Sequence, residues 1–575
     1  MSTSDITVKK KRFFLPEDFK VTDWTALEPY FELLKTRAIN NAKDLYQWFK
    51  DRSELESVLE EDMGWRYIKM TCDTTNKSLT DSFNYFVSEI QPKIAPYSNE
   101  LNKKALDSPY LHQLNSTGFD IIIKLLEKDF KIYREQNIPI FTEIEQEAHQ
   151  FGAISGAMTV EIDGKELTLP QASDILQSSD RTKRETTYFR INERRFLDKD
   201  KLNELYSKLI KLRHQAAINA GFENYRDYMF QAMGRFDYNV QDCFDFHQSI
   251  AKEVIPVIND LALERKKSLN LDHLRPWDLA VNYHGTEALK PFQNGEELLE
   301  KTIQCFHLIN PYLGACLTTM KNLGHLDLVS RKGKAPGGYN YPLDETGVPF
   351  IFMNATTSLR DLVTMVHEGG HALHSFVTKD LEINTFKHPT SEVAELASMS
   401  MELISMEYWN IFFPNKADLK RAKREHLESI LHTLPWVATI DKFQHWVYEH
   451  PQHTLEERAS QWEKIFITYS NTSTNWQGIE KFRQIMWQKQ LHLFEVPFYY
   501  IEYAIAQLGA IAVWKNYKKD SKKGFADYLA ALQLGYSKPI KEIYKTAGIK
   551  FDFSQAYIHE LIDFIKNELM KIEKE

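Results

Sequence analysis

Residues 361–376 read DLVTMVHEGGHALHSF. Leu362, Val363, Val366, Leu373 and Val377 fall at helical spacing, which predicts one half-buried helix. His367 and His371 lie four residues apart, so they share a face of that helix, about 6 Å apart along its axis. Two imidazoles so placed can share one zinc ion. Glu368 follows the first of them, where it can reach a water beside the metal without binding the metal itself. Gly369 and Gly370 each cost the helix about 1 kcal/mol relative to alanine. The expected reason for them is a second element packed close, because glycine lets backbones approach. His374 continues the face of the two histidines, and a packed or hydrogen-bonded role is expected for it.

Zinc on two histidines needs a third protein ligand and an open fourth position. The next helical stretch, SEVAELASMSMELISM at 391–406, is apolar almost all round, the pattern of a buried helix. Glu395 and Glu402 are seven apart and share one face of it. A buried carboxylate must be paired or bind a metal, so Glu395 is the expected third ligand. Glu392, in the first turn, is the rival; there it is expected to favour the helix dipole from solvent. Glu402 is read either as an acceptor that holds a ligating histidine or as a plain structural ion pair.

Outward from these two helices, helical periodicity dominates, as at Phe119–Phe130, Leu202–Ala220 and Gly295–Ile309. Strand signals are few. MTVEIDGKELTL predicts a hairpin turning at Asp163-Gly164. GYNYPL and VPFIFMN, between Tyr339 and Asn354, predict a second. The stretch from Tyr499 to Trp514 is too short and too polar to span a bilayer and reads as a buried helix. No linker rich in Pro, Ser or Gly divides the 575 residues, so a soft boundary is placed near residue 195: an N-terminal helical region with a hairpin at 1–195, and a catalytic region at 196–575.

Net charge −9 argues against nucleic acid as the main partner, since phosphate binding needs a basic footprint. The four cysteines form no CxxC, which argues against thiolate zinc sites and a disulfide framework and suits a reducing, cytoplasmic setting. MSTSDITVKKKRFF carries basic residues with no apolar run behind them, so no secretory leader is expected, and no membrane partner.

HEGGHALH at 367–374, AELAS at 394–398, HLFEVPFYYIEYA at 492–504 and GKAPGGYNYP at 333–342 occur together and in order. In this set the chain resembles the oligoendopeptidase F branch of the thimet oligopeptidase family of zinc metallopeptidases. The resemblance implies a mainly α fold: a large, two-lobed helical ellipsoid with a deep substrate channel, an HExxH core and a few short hairpins. It implies one zinc ion per chain on His367, His371 and Glu395, with Glu368 as general base. It further implies that His492 and one or two tyrosines of FYYIEY contact the substrate and its developing oxyanion, Tyr499 and Tyr503 foremost, with Tyr500 a further substrate contact. Tyr499 and Tyr503, four apart, can share a helix face from which Tyr500 points away. Gly337, Gly338 and Tyr339 are expected at the substrate, the glycines letting backbone come close and the strand offering an edge for peptide addition; a simple turn before a structural strand explains them equally.

Two departures from the family pattern stand out. Gly369 replaces a commonly larger residue, and Pro497-Phe498 replaces a glycine-tyrosine pattern. The function implied is internal cleavage of short, unstructured oligopeptides. A zinc carboxypeptidase on a similar scaffold, or a peptide-binding descendant without catalysis, are the alternatives. The sequence leaves cleavage preference, length limits and oligomeric state open.

Overall fold

Side-chain caps set where many of the helices begin. Asn41 accepts from Asp44 N to start α1 (Ala42–Cys72), and Asn239 accepts from Gln241 N and Asp242 N to start α2 (Val240–Glu253). Asn294 opens α3 (Gly295–Ile309) in the same way. Ser358 and Asp361 form a capping box at the head of α4 (Leu359–Thr378), which carries the two histidines. The Asp361 carboxylate also accepts from the backbone of Thr356 and Thr357, which fixes the entry of the chain. Two further helices matter below: α5 (Ser391–Ser405) and α6 (Lys416–Glu449). The coordinates are a computed structural model and describe residue 6 and residues 11–114, 118–282 and 288–574. Most of the N-terminal stretch read for a leader thus lies outside the described residues.

The fold is mainly helical, as expected, and the helices read at 119, 202 and 295 are present as Phe119–Ile132, Lys199–Asn219 and Gly295–Ile309. Among the described residues, no helix is long and apolar enough to cross a membrane. The 499–514 stretch lies largely in the helix Ile501–Lys519, with Ala504, Ala510, Ile511 and Trp514 buried.

Strands β1 (Thr159–Ile162) and β2 (Lys165–Thr168) pair antiparallel, with Asp163 at φ 52° and Gly164 at φ 72°. Positive φ at both central residues is the tight turn that Asp-Gly favours. The second hairpin is part of a larger sheet. β4 (Tyr339–Tyr341) pairs antiparallel with β5 (Phe350–Ala355), and β3 (Leu326–Val329) adds to the other side of β5 in parallel. β5 is therefore the central strand and β4 an edge.

The chain forms two compact units, each from three stretches. The first holds Met1–Glu127, Leu289–Lys423 and Ala506–Phe551; the second holds Lys128–Ala288, Arg424–Ile505 and Asp552–Glu575. Residue 195 falls inside the helix Arg181–Leu197 of the second unit. The first unit packs Trp48, Phe49, Phe119 and Leu126 into one core, where the Trp48 indole N–H donates to Leu34 O at 2.8 Å. Its α4 and α5 cross with backbone in contact. A Cβ added to Gly370 would lie 2.6 Å from Ser398 Cα and 2.7 Å from Ala397 O, and one on Gly369 would lie 2.6 Å from the Phe306 ring of α3. The close approach expected of this glycine pair is present at both positions. Gly370→Ala is expected to lose about 1–3 kcal/mol by overpacking, more than the roughly 1 kcal/mol of helix propensity it gains. Denaturant melts of the two proteins check this, and an equal or higher midpoint for the variant would count against the packing argument.

Candidate metal centre

On α4, His367 and His371 stand one turn apart with ring centroids 4.9 Å from each other. Glu395 of α5 faces both: its Oε2 lies 3.4 Å from His367 Nε2 and 3.8 Å from His371 Nε2. The three ligand atoms fall within 4.8 Å of one another. Donors held 2.0–2.1 Å from a tetrahedral zinc stand about 3.3 Å apart, so this spacing fits such an ion. The orientation fits as well. His367 Nδ1 meets Glu402 Oε1 at 2.6 Å, which leaves Nε2 aimed at the shared point. Glu395 and Glu402 together hold the His367 imidazolium well above its ordinary range despite burial. A cation at Nε2 would take the place of that proton. Burial presses His371 down to about 4, and the His367 and His371 rings hold Glu395 near 2 against the effect of its own burial. Ser398 Oγ, one turn along α5, adds a hydrogen bond to Glu395 Oε2 at 3.2 Å.

Glu368 belongs to α4 but not to this donor group. It is buried, and burial pushes its carboxyl up to about 7. Its backbone carbonyl accepts from Asn340 Nδ2 of β4 at 3.5 Å. His374 is buried too, and burial presses it down to about 3, which suits the packed role expected. Glu392 departs from expectation. It is only 2% exposed, because the first turn of α5 is covered by its neighbours, and Tyr544 Oη reaches its carbonyl. Solvent therefore does not hold it apart from the donor group; its position on the helix does. If the Glu402 hydrogen bond orients His367, Glu402→Ala is expected to cost about 10–100-fold in metal affinity. Metal titration of the refolded variant decides, since a lower melting point with unchanged affinity would mark a purely structural ion pair.

Ahead of α4, Gly337 takes φ 98°, which favours glycine, and Gly338 packs 3.4 Å (measured to an added Cβ) from Phe352 O. The Tyr339 ring stacks on Phe352 at 4.8 Å, and its hydroxyl meets Thr71 Oγ1 at 2.6 Å. Its side chain is thus engaged within the unit, and its backbone is what the edge strand offers.

His492 and the tyrosines belong to the second unit. The His492 ring lies 4.7 Å from Tyr500, 5.9 Å from Tyr503 and 6.1 Å from Tyr499. Tyr500 and Tyr503 are 5.6 Å apart. Tyr500 therefore joins the cluster and does not point away. The helical count from Tyr499 does not apply, because the helix begins only at Ile501, after a turn through Pro497. In that turn Phe498 takes φ 67°, a conformation costing roughly 1–2 kcal/mol for a residue with a Cβ. Its ends are held: Gln444 Oε1 accepts from Phe498 N at 2.7 Å, and Arg235 donates to Phe498 O and to Glu502. Buried Arg213 donates to the carbonyls of Leu493 and Phe494, fixing the segment just ahead of the turn.

The sequence held no sign of Gln490. Its carbonyl accepts from Trp436 Nε1 at 2.9 Å, and its amide nitrogen meets His492 Nδ1 at 2.7 Å. In that bond His492 accepts at Nδ1 and carries its proton on Nε2. Burial presses the His492 pKa down, so the ring is a neutral donor at neutral pH.

Comparison with known proteins agrees with this architecture. The pattern of Peptidase family M3 matches residues 175–562, and that of the Peptidase M3 N-terminal domain matches 14–133. The chain belongs to peptidase family M3 and is a metallopeptidase. Its relatives bear out the resemblance to oligoendopeptidase F. It is 24% identical to an oligoendopeptidase F homolog of Borreliella burgdorferi over 95% of this chain and 92% of the relative. An oligoendopeptidase F homolog of Mycoplasma genitalium is also 24% identical, over 94% and 87%. The solved structure of PZ peptidase A with an inhibitor superposes with a TM-score of 0.87 at 26% identity, covering 97% of this chain and 99% of that one.

Proposed function

We propose that this protein is a zinc-dependent endopeptidase that cleaves internal bonds of short, unstructured oligopeptides, with one zinc ion held by His367, His371 and Glu395. The observation that carries the reading is the convergence of those three donors on one point, with Glu368 one residue from the first of them. Zinc bound there supplies Lewis acidity, acidifying water and polarising a peptide carbonyl. Glu368 takes the proton of the attacking water on a carboxylate oxygen and passes it to the leaving amine. Glu402, at His367 Nδ1, keeps that ring in the tautomer that ligates. His492, donating from Nε2, and Tyr499 or Tyr503, donating from the phenol, are assigned to the carbonyl oxygen as charge develops on it, in keeping with the family resemblance. Tyr500 is assigned to the walls of the same substrate subsite.

The peptide backbone is assigned to the open edge of β4, beside Gly337, Gly338 and Tyr339. A cytoplasmic setting is part of the proposal, supported by four cysteines of which none pairs in a disulfide. The test is an internally quenched peptide blocked at both ends, offered in a length series beside a folded protein and its unfolded form. Cleavage of the blocked peptide is expected, with catalytic efficiency falling steeply as the chain lengthens. No cleavage until an end is unblocked would mean an exopeptidase; equal rates on a long unfolded protein would mean a general protease.

A further inference from the structure

The second unit contains another cluster of side chains of metal-ligating type, remote in sequence from the first. Cys243 and His247 lie one turn apart on α2, and Asp441 and His445 lie one turn apart on α6. Each helix turns one such pair inward. The ligand atoms of Cys243, Asp441 and His445 all fall within 4.8 Å of one another, and His247 Nε2 stands 2.8 Å from Asp441 Oδ2. All four residues are at most 1% exposed. Among the described residues, both ring nitrogens of His445, His247 Nδ1 and Asp441 Oδ1 are buried without a hydrogen-bond partner. His445 Nε2 lies 3.3 Å from Asp441 Oδ2 but lacks the geometry of a hydrogen bond. Phe230, Phe244 and Phe498 pack against the His445 ring and present no acceptor to it.

Leaving that many buried polar atoms unmatched is costly, because each has given up its hydrogen bonds to water without replacement. A hydrogen-bonded network would use them; this one does not. We propose that Cys243, His247, Asp441 and His445 form a second, structural metal site for a zinc-like divalent cation, joining α2 to α6. The charge balance supports it: one thiolate, one carboxylate and two neutral imidazoles neutralise a +2 ion, leaving no net charge in a dry interior. The spacing supports it too, since donors on a tetrahedral zinc stand about 3.3–3.6 Å apart, within reach of small side-chain rotations here. Binding releases the thiol proton to solvent as the metal–sulfur bond forms. No such site is legible from residue spacing, because CxxC spacing is absent and the ligands form two i,i+4 pairs nearly 200 residues apart. A dry, closed site is filled during folding, as structural zinc sites are.

The experiment uses the full chain carrying His367→Ala and His371→Ala, purified without chelator, so that the proposed catalytic donors cannot contribute. Elemental analysis is expected to find about one zinc per chain, and X-ray absorption at the zinc edge is expected to show one sulfur neighbour at about 2.3 Å. Adding Cys243→Ser and His445→Ala is expected to remove both the zinc and the sulfur signal. If that variant does not fold, the absorption spectrum of the first variant still decides. A zinc-free first variant, or zinc bound without sulfur, overturns the assignment. Failure of the catalytic reading is seen separately, as unchanged metal content between the first variant and the unaltered protein.

Discussion

Glu368→Gln is expected to retain zinc and lose about 10²–10⁴-fold in turnover, the range a positioned general acid–base group contributes. The carboxylate stands outside the donor group, so exchanging one oxygen for an amide removes no bond to the ion. The side chain keeps its volume in a buried position, which limits any packing loss. What it loses is a site that takes a proton and gives it back. Because that transfer occurs in the transition state, the loss is expected in kcat, with KM little changed. Elemental analysis and steady-state kinetics on the same preparation check both halves. A zinc-loaded variant with full activity would remove Glu368 from the reaction.

Glu395→Ala is expected to lose metal as well as activity. Losing an outer hydrogen-bond partner of a ligating histidine costs about 10–100-fold in affinity, and losing a ligand costs more. It also strips His367 and His371 of the carboxylate that lies 3.4 and 3.8 Å from them. Excess zinc is expected to restore only part of the activity. Glu392→Ala makes the comparison informative. Both carboxylates are buried on α5, so burial does not separate them; only Glu395 lies among the donors. The Glu392 variant is expected to keep its zinc and to lose stability. Metal lost from the Glu392 variant alone would reverse the assignment.

What could be read from the sequence is what depends on neighbours along the chain. The i,i+4 histidines, the Glu395–Glu402 heptad and the Asp163-Gly164 turn each fix their geometry within one or two helical turns or one hairpin. The role of Gly369 and Gly370 was legible for the same reason, since two glycines in a helix need an outside cause. What was hidden depends on tertiary partners. β3 pairs in parallel with a strand beginning more than twenty residues later, so no hairpin signal marks it. Glu392 reads as exposed until its neighbours cover it. Tyr500 reads as turned away because the count assumes a helix that has not yet begun. Gln490 acts through Trp436, which is 54 residues distant.

At Gly370, α4 and α5 meet with no side chain between their backbones. Between most helices, side chains form a compliant layer that absorbs a small displacement by changing rotamer. Here Ser398 and Ala397 meet the facing helix backbone to backbone, three residues or fewer from Glu395. With no compliant layer, any sliding of α5 is transmitted undamped to the carboxylate, and any sliding of α4 to both imidazoles. The donors are therefore expected to move as one rigid assembly with the helix crossing. Release of the proposed zinc ion is therefore expected to accompany separation of the two helices as a single cooperative event, with all three donors leaving together.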